Sequence, residues 1–337
     1  MARQACIDAY GALHHTIIRG IEREPIFRDD RDRERFLERL ESVLVETSTP
    51  CYAWALMKNH AHLLLRTGSA PIATVMRRLL TGYAQDFNRR YRRHGQLFQN
   101  RYKSILCEED PYLVELVRYI HLNPLRAKAV ESLGALASYA YGGHAVLTGK
   151  RVCEWQDRRY VLRFFAKGEK KALRGYQEFM AAGVTQGRRP ELVGGGLVRS
   201  VGGWSALKAL RSRRERVKGD ERILGSSEFV ERVLEMAEEE MEKKTTYRAR
   251  GLDMESLLQR IAEYYGMDLK ELKGKSKAAG VARARAVFCY LAVEKLDERC
   301  VSVAKALAIS PSAASKPIRL GRFIVAGSSA EQALLEC

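Results

Sequence analysis

Strand and helix signals alternate through the first 130 residues, and this alternation constrains the fold more than any other feature of the chain. The segment from His14 to Ile21 (HHTIIRGI) is rich in β-branched residues, which indicate a strand. A segment with apolar residues every three or four positions then predicts a helix from Asp30 to Glu46. Two short apolar runs, Cys51 to Met57 and His62 to Leu65, indicate a pair of strands joined by a tight connection.

The alternation continues with a second helix, a fourth strand and a third helix. Pro71 opens the second helix in its first turn, where the missing N–H costs nothing, and Gly95 ends it. Leu97 to Leu106 indicates the fourth strand, and the third helix begins near Pro111 and continues through Tyr119. Sequential pairing of these strands, with the helices on one face, predicts an α+β sandwich of the ferredoxin-like type.

The remainder of the chain has a different character. With 337 residues, the chain is long enough for more than one domain. Gly-rich turns between positions 187 and 204 and the basic run RSRRERVK at 211 to 218 indicate a connecting region. We therefore divide the chain into an α+β domain over 1–165, a basic connecting region over 166–249, a mostly helical module over 250–325 and a tail over 326–337.

The charge of the chain predicts a polyanionic partner. The formal net charge is +17, the sequence pI is about 9.6, and 58 residues are Lys or Arg. Nucleic acid is the default partner for such a chain, and no Lys-rich amphipathic helix favours a membrane surface instead. No apolar run approaches the length of a membrane span or a signal peptide, and no two of the 7 cysteines have CxxC spacing. We expect a reduced, cytoplasmic protein without a disulfide framework or a zinc ribbon.

A pair of histidines begins the third apolar run, in the triplet His60-Ala61-His62. Because side chains alternate along a strand, His60 and His62 point to the same face and can share one metal ion. Two half-buried strand histidines would give the same pattern, so the triplet alone leaves a purely structural role open.

Tyr119 and Asn123 lie four residues apart in RYIHLNP and are therefore neighbours on one helix surface. Such a pair can place a phenol hydroxyl beside a metal ion, with the amide oxygen as a further ligand, for attack on a phosphodiester. A cation helps because a phenol with a pKa of about 10 is a poor nucleophile at neutral pH. A packing tyrosine and an ordinary helix end before Pro124 remain the alternatives. Other tyrosines compete for the same role: Tyr83, Tyr91, Tyr102 and Tyr112.

Several motifs in order resemble the single-tyrosine HUH transposases, and among these the REP-associated tyrosine transposases of bacteria. They are HHTIIRGIEREPIFRDDRDRERFLERL, CYAWALMK, NHAHLLL, GQLFQNRYKS and YLVELVRYIHLNPLRAKAV, and the resemblance covers about residues 8 to 165. It implies an HUH fold with Tyr119 as nucleophile and with His60, His62 and Asn123 holding a divalent ion, Mg²⁺ or Mn²⁺. Ala61 departs from the bulky apolar residue typical of the triplet, which leaves the ligands intact.

The resemblance also implies the substrate and the reaction. We expect a monomer or homodimer that nicks single-stranded or hairpin DNA of palindromic REP-like repeats through a 5′-phosphotyrosine, in DNA transposition. Aromatic and basic residues interleave between positions 87 and 103, which suits a groove for phosphates and unpaired bases. A solvated basic helix face with core aromatics would produce the same pattern. The candidate DNA contacts of this domain are His15, Arg19, Arg89, Arg90, Arg92, Arg93, Arg101 and Lys103.

The segment from 279 to 322 indicates three helices and resembles a helix-turn-helix, in particular the C-terminal DNA-binding domain of the bacterial replication initiator DnaA. A middle helix near Ser302 to Ala308 leads into a helix that Ser310 can cap and that Pro311 can begin. Pro317 interrupts this second helix, so base reading is less secure than the fold, and a small bundle without a DNA role stays open. The candidate contacts are Arg283, Arg285, Ser312, Ser315, Lys316 and Arg319.

Two other functions compete with a DNA-nicking enzyme. A non-catalytic DNA-binding protein or transcriptional regulator derived from a transposase would use the same charge and the same C-terminal module. The complete set of His60, His62, Tyr119 and Asn123 argues against it, because a decayed enzyme is expected to lose a member. An RNA-binding protein with a ferredoxin-like sheet is the third hypothesis, and it gives the histidines and the tyrosine no role.

Overall fold

The computed structural model divides the chain into two compact units, Met1–Val233 and Leu234–Cys337. The residues that it describes are 11–187, 189, 192–193, 220, 222–237, 252–273, 276, 278–296, 298, 300–315 and 317–335. Among the helices in these ranges, none is long and apolar enough to cross a membrane.

A five-stranded mixed sheet forms the centre of the first unit. Its strands are β1 (Leu13–Arg19), β2 (Cys51–Met57), β3 (His60–Arg66), β4 (Lys103–Cys107) and β5 (Ile223–Leu224). They lie in the order β2-β3-β1-β4-β5, in which the first four are antiparallel and β5 is parallel to β4. The α+β class is thereby confirmed.

Helices cover both faces of this sheet. In chain order they are α1 (Asp30–Glu46), α2 (Ile72–Arg90), α3 (Glu109–Arg126), α4 (Leu133–Ala137), α5 (His144–Leu147), α6 (Arg158–Leu162) and α7 (Glu169–Gly183). The core residues of α1 and α2 pack with one face, whereas those of α3 and α7 pack with the other. The prediction that the helices share one face is correct for α1 and α2 and wrong for α3. The uninterrupted burial of β2 gives the physical reason, because a strand covered on one side only alternates between apolar and polar residues.

Two strands differ from the prediction. The fourth strand was expected over Leu97 to Leu106, but β4 begins only at Lys103, and Phe98 makes a single bridge to Gly20. β5 was not predicted at all, since two residues carry no periodic signal. A helix over residues 227–237, α8, follows β5.

The division of the chain also differs from the predicted boundaries at residues 165 and 249. α7 packs against α3 within the first unit, with Tyr176 and Met180 buried in the same core as Leu116 and Ile120. The predicted connecting region from 166 therefore begins inside the first unit. Much of that region, together with the last residues of the predicted tail, lies outside the described residues.

The second unit is helical. Its helices are α9 (Met254–Tyr264), α10 (Leu269–Leu272), α11 (Ala279–Tyr290), α12 (Cys300–Ala306), α13 (Pro311–Ser315), α14 (Ile318–Ala326) and α15 (Ser329–Gln332). α11 and α14 approach closely at Gly321, where an added Cβ would lie 1.9 Å from the Ala286 carbonyl oxygen. Ser310 Oγ accepts from the Ala313 backbone N–H at 3.2 Å, which confirms the predicted cap of α13. Pro317 ends that helix early, because α13 stops at Ser315 and Pro317 caps α14.

Candidate active site

The two histidines of the HxH triplet lie on the sheet face that α3 covers. In the antiparallel register of β1 and β3, His60 lies opposite Arg19 and His62 lies opposite Ile17. Ile17 belongs to the core under α3, so the alternation of side chains places His60, His62 and His15 on this face as well. The predicted orientation of the triplet follows directly from the strand period.

α3 brings the candidate nucleophile to the same place. Its buried residues Leu113, Leu116 and Ile120 recur at helical spacing and pack on the sheet, which leaves Tyr119 half-buried on the flank. The Tyr119 ring centroid lies 5.8 Å from that of His62, with the ring planes at 80°. The structure therefore places the phenol beside His62, whose ring centroid lies 5.3 Å from that of His60.

Burial keeps both histidines of the triplet neutral. Burial, followed by the nearby Arg19 guanidinium, lowers the pKa of His60 to about 4. The pKa of His62 falls well below its usual value, first through burial and then through His15, His60 and Arg19. A neutral imidazole retains the lone pair that a metal ion or a proton can use.

Asn123 lies one turn beyond Tyr119 on α3. Its Nδ2 donates to the Tyr119 carbonyl at 3.1 Å, so the amide oxygen is left to act as an acceptor or a ligand. Two neutral imidazoles and an amide oxygen are a donor set that a divalent cation accepts. Within the described ranges, no group of three or more His, Cys, Asp or Glu side chains is placed to bind a metal ion. Any cation here therefore depends on the amide and on substrate or water oxygens in addition to the histidines.

Arg126 is a cation beside the phenol, two helical turns after Tyr119. Its guanidinium carbon lies 5.6 Å from the Tyr119 ring centroid, and its Nη2 donates to the Gly183 carbonyl at 3.4 Å. Its Nε and Nη1 are buried and have no hydrogen-bond partner among the described residues. Burial lowers its pKa from the usual value, but an arginine stays protonated, so this site favours an anion.

Residues 8–123 match the family model described as "Transposase IS200 like". Over these residues the chain is similar to IS200-like transposases, and we call this part the IS200-like domain. The match agrees with the family resemblance of the motifs in this segment, and it contains His60, His62, Tyr119 and Asn123.

The other comparisons add little to the IS200-like assignment. A solved structure described as "Structure of the REP associates tyrosine transposase bound to a REP hairpin" is 13% identical, with a TM-score of 0.36. The match covers 47% of this chain and 93% of that chain, and a likeness this distant carries no argument about the present site. No curated protein matches the chain.

The predicted DNA contacts of the IS200-like domain divide into exposed and internally bonded side chains. The exposed ones are Arg19, Arg89, Arg92, Arg101 and Lys103, of which Lys103 also donates from Nζ to the Val193 carbonyl at 2.8 Å. Arg90, by contrast, bonds the carboxylates of Asp29 and Asp32 and joins α2 to the start of α1. Arg93 Nη1 donates to Asn88 Oδ1 at 3.4 Å. Arg19 lies opposite His60 in the sheet, and its charge helps to lower the pKa of that histidine.

One of the aromatic residues expected to stack on bases is part of the core, and a second, half-buried one is bonded to a carboxylate. Phe87 is buried, and the Tyr91 hydroxyl bonds the Asp32 carboxylate at 2.8 Å. The expectation of a stacking platform is therefore wrong for Phe87. Its apolar spacing on α2, shared with Val75 and Leu79, was the signal for a core position.

Two of the predicted contacts of the second unit, both of them arginines, are bonded internally. Arg283 pairs with Glu331 at 2.8 Å, and Arg285 donates to three backbone carbonyls at and beyond the end of α10. Ser315 is exposed. Lys316 and the side chains of Ser312 and Arg319 lie outside the described residues. A DNA contact by this unit stays a prediction.

His15 was predicted as a DNA contact, but its side chain is completely buried. Its ring stacks on His62 at 5.1 Å and meets the Tyr119 ring edge-on at 5.9 Å. Sequence reasoning missed this packing because it depends on the register between β1 and β3. Arg126 was missed too, although its spacing of seven from Tyr119 was a usable helical signal.

Proposed function

We propose that this chain is a transposase-type DNA nuclease and strand transferase that cuts single-stranded or hairpin DNA with Tyr119. The observation that supports it best is the meeting of the Tyr119 ring with the rings of His62 and His15 at one end of the sheet. The IS200-like match over residues 8–123 supports a DNA-processing role for this site. The net charge of +17 suits a polyanionic substrate.

The reaction is a transesterification at phosphorus. The Tyr119 oxygen attacks a backbone phosphodiester and forms a new P–O bond, while the bond from phosphorus to the 3′ oxygen breaks. The phenol proton is lost to solvent, and the departing 3′ oxygen takes up a proton to become a free hydroxyl. The products are a 5′-phosphotyrosine and a 3′-OH end, and attack by that or another 3′-OH on the phosphotyrosine completes strand transfer.

His60 and His62 would hold a divalent ion, Mg²⁺ or Mn²⁺, with the Asn123 amide oxygen as a further ligand. When bound, such an ion polarises the scissile phosphate and offsets negative charge on its oxygens. The low pKa of His60, about 4, keeps this ring neutral and able to bind over the physiological pH range.

Arg126 would bind the phosphate that Tyr119 attacks. Neighbouring arginines already have a carboxylate partner, because Glu115 pairs with Arg118 at 2.6 Å and with Arg189 at 3.2 Å. Arg126 has no such partner among the described residues, and two of its donors are unsatisfied. A phosphodiester would supply both the charge and the acceptor oxygens that this guanidinium lacks.

Exposed cations would contact the rest of the DNA strand. Arg19 would guide it toward the histidines, and Arg89, Arg92 and Arg101 would neutralise more distant phosphates. Residues 250–325 would add a second DNA contact as a helix-turn-helix, in which the short α13 is the candidate recognition helix.

The decisive experiment measures a covalent adduct. Labelled single-stranded DNA from the palindromes that flank the gene is incubated with the full chain, with and without Mn²⁺, and resolved on denaturing gels. We expect a Mn²⁺-dependent adduct that Tyr119→Phe abolishes while DNA binding survives. Tyr112→Phe, a half-buried tyrosine on the same helix, is the matched control and should keep the adduct. An undiminished adduct from Tyr119→Phe would refute the assignment, and binding without any adduct would favour the non-catalytic alternative.

A further inference from the structure

His15 connects the histidine triplet to a segment far along the chain. Its Nε2 lies 2.9 Å from His62 Nδ1, and its Nδ1 lies 3.3 Å from the Leu192 carbonyl oxygen. These contacts span 47 and 177 positions, respectively, and the second reaches beyond the IS200-like domain. All three residues are buried, so water does not compete for these hydrogen bonds.

The positions of the hydrogens follow from the partners. A carbonyl oxygen only accepts, so His15 Nδ1 carries its hydrogen and donates it to Leu192. In the neutral ring the Nε2 of His15 is then an acceptor, and His62 Nδ1 must be the donor to it. His62 consequently holds its lone pair on Nε2. The position of the ring hydrogen on His15 thus determines the position of the ring hydrogen on His62.

His60 reaches the same state through a different partner. Its Nδ1 lies 2.7 Å from Asn59 Oδ1, and this amide oxygen accepts the Nδ1 hydrogen. Both rings of the triplet therefore present an Nε2 lone pair. In water a neutral imidazole prefers the opposite tautomer, so the hydrogen bonds of Asn59 and His15 impose the one observed here.

The described residues around the Leu192 carbonyl are bonded to side chains of two other elements. Lys103 Nζ donates to the Val193 carbonyl at 2.8 Å, and Arg189 pairs with Glu115 on α3 at 3.2 Å. Leu192 itself is buried in the core under α3. Arg189, Leu192 and Val193 are therefore positioned by β4 and by α3, the helix that carries Tyr119.

We propose that His15 is a positioning residue that holds His62 in the Nδ1–H tautomer, and that the Leu192 carbonyl holds His15 in turn. The inference rests on the proposed function in so far as the His62 Nε2 lone pair serves a divalent ion. Partners of this kind orient a ligating histidine, and their loss typically weakens metal binding by about 10–100-fold.

The first test reads the tautomers directly in the metal-free full chain. Long-range proton–nitrogen correlation spectra of protein with ¹⁵N-labelled histidine distinguish Nδ1–H from Nε2–H rings. His15, His60 and His62, assigned by single His→Gln substitutions, should show Nδ1–H, whereas the exposed His94 should not. An Nε2–H ring at His62 in the wild-type protein would overturn the proposal.

The second test changes His15. His15→Leu removes the acceptor, so His62 should lose its Nδ1–H preference and the Mn²⁺ affinity, measured by electron paramagnetic resonance, should fall about 10–100-fold. His15→Gln keeps an acceptor for His62 and a donor for Leu192, and it should retain an affinity within a few fold of wild type. Equal Mn²⁺ affinity in His15→Leu and wild type would contradict the positioning role.

These outcomes separate the proposal from the proposed function. If His15→Leu fails to fold, the wild-type spectrum and the His15→Gln affinity still decide. If no DNA adduct ever forms, but the tautomers and the Mn²⁺ affinities behave as expected, the positioning role stands and the nuclease function fails. If the adduct forms with an Nε2–H ring at His62, the nuclease function stands and the positioning role fails.

Discussion

Removal of one hydroxyl should reveal how firmly α3 is held behind the active site. Tyr176 on α7 is completely buried, and its hydroxyl lies 2.9 Å from His121 Nδ1 and 2.6 Å from His144 Nδ1. His121 stands on α3 between Tyr119 and Asn123, so this hydroxyl connects the helix of the nucleophile to α5 and α7.

Tyr176→Phe deletes that hydroxyl without changing the shape of the ring. Two buried imidazole nitrogens lose their partner, and each unsatisfied group costs about 1–3 kcal/mol. We expect the free energy of unfolding of the first unit to fall by about 2–6 kcal/mol in total. For a unit of this size, the melting temperature should drop by roughly 4–24 °C.

The assay is urea unfolding followed by tryptophan fluorescence. Trp54 and Trp155 are described residues of the first unit, and the sequence has no tryptophan after residue 233, so the second unit does not contribute to the signal. Tyr139→Phe is the matched control, because it removes a half-buried hydroxyl that donates to a single carbonyl at 2.9 Å. It should cost about 1 kcal/mol. A Tyr176→Phe variant no less stable than Tyr139→Phe would refute the reasoning.

Two further predictions concern charge. Burial lowers the pKa of His144 to about 4, so between pH 6.5 and 4 the unfolded chain binds a proton that the folded chain does not. The free energy of unfolding should therefore fall as the pH is lowered, by about 2–3 kcal/mol for this residue between pH 7 and 4.5. In urea titrations at several pH values, His144→Gln should lose this part of the pH dependence. An equal pH dependence in both proteins would contradict a lowered pKa of His144. Arg126→Gln should slow adduct formation about 100-fold or more, and Arg126→Lys should recover part of the rate. DNA with a neutral methylphosphonate at the scissile position should bind to these two variants and to the wild-type protein with equal affinity. Unchanged rates in Arg126→Gln would exclude a phosphate contact.

The parts of the site that depend on one element were predictable from the sequence. His60 and His62 share a face because the strand period is two, and Tyr119 and Asn123 share a side of α3 because four residues complete a helical turn. The burial of β2 on both faces was also visible, since CYAWALM has no polar alternation. The prediction of helices on one face was wrong for α3, because the order of the elements does not show what covers each side of a strand.

The parts that depend on register or on backbone groups were not predictable. His15 meets His62 only through the pairing of β1 with β3, and a shift of one residue would have turned its ring to the opposite face. The Leu192 carbonyl leaves no signal in residue type, since every residue carries one. Arg126, Arg189 and Leu192 all lie beyond residue 123, where the IS200-like match ends. The proposed reacting groups and their nearest partners, His15 and Asn59, therefore lie within that domain, whereas Arg126 and the Leu192 carbonyl come from chain outside it.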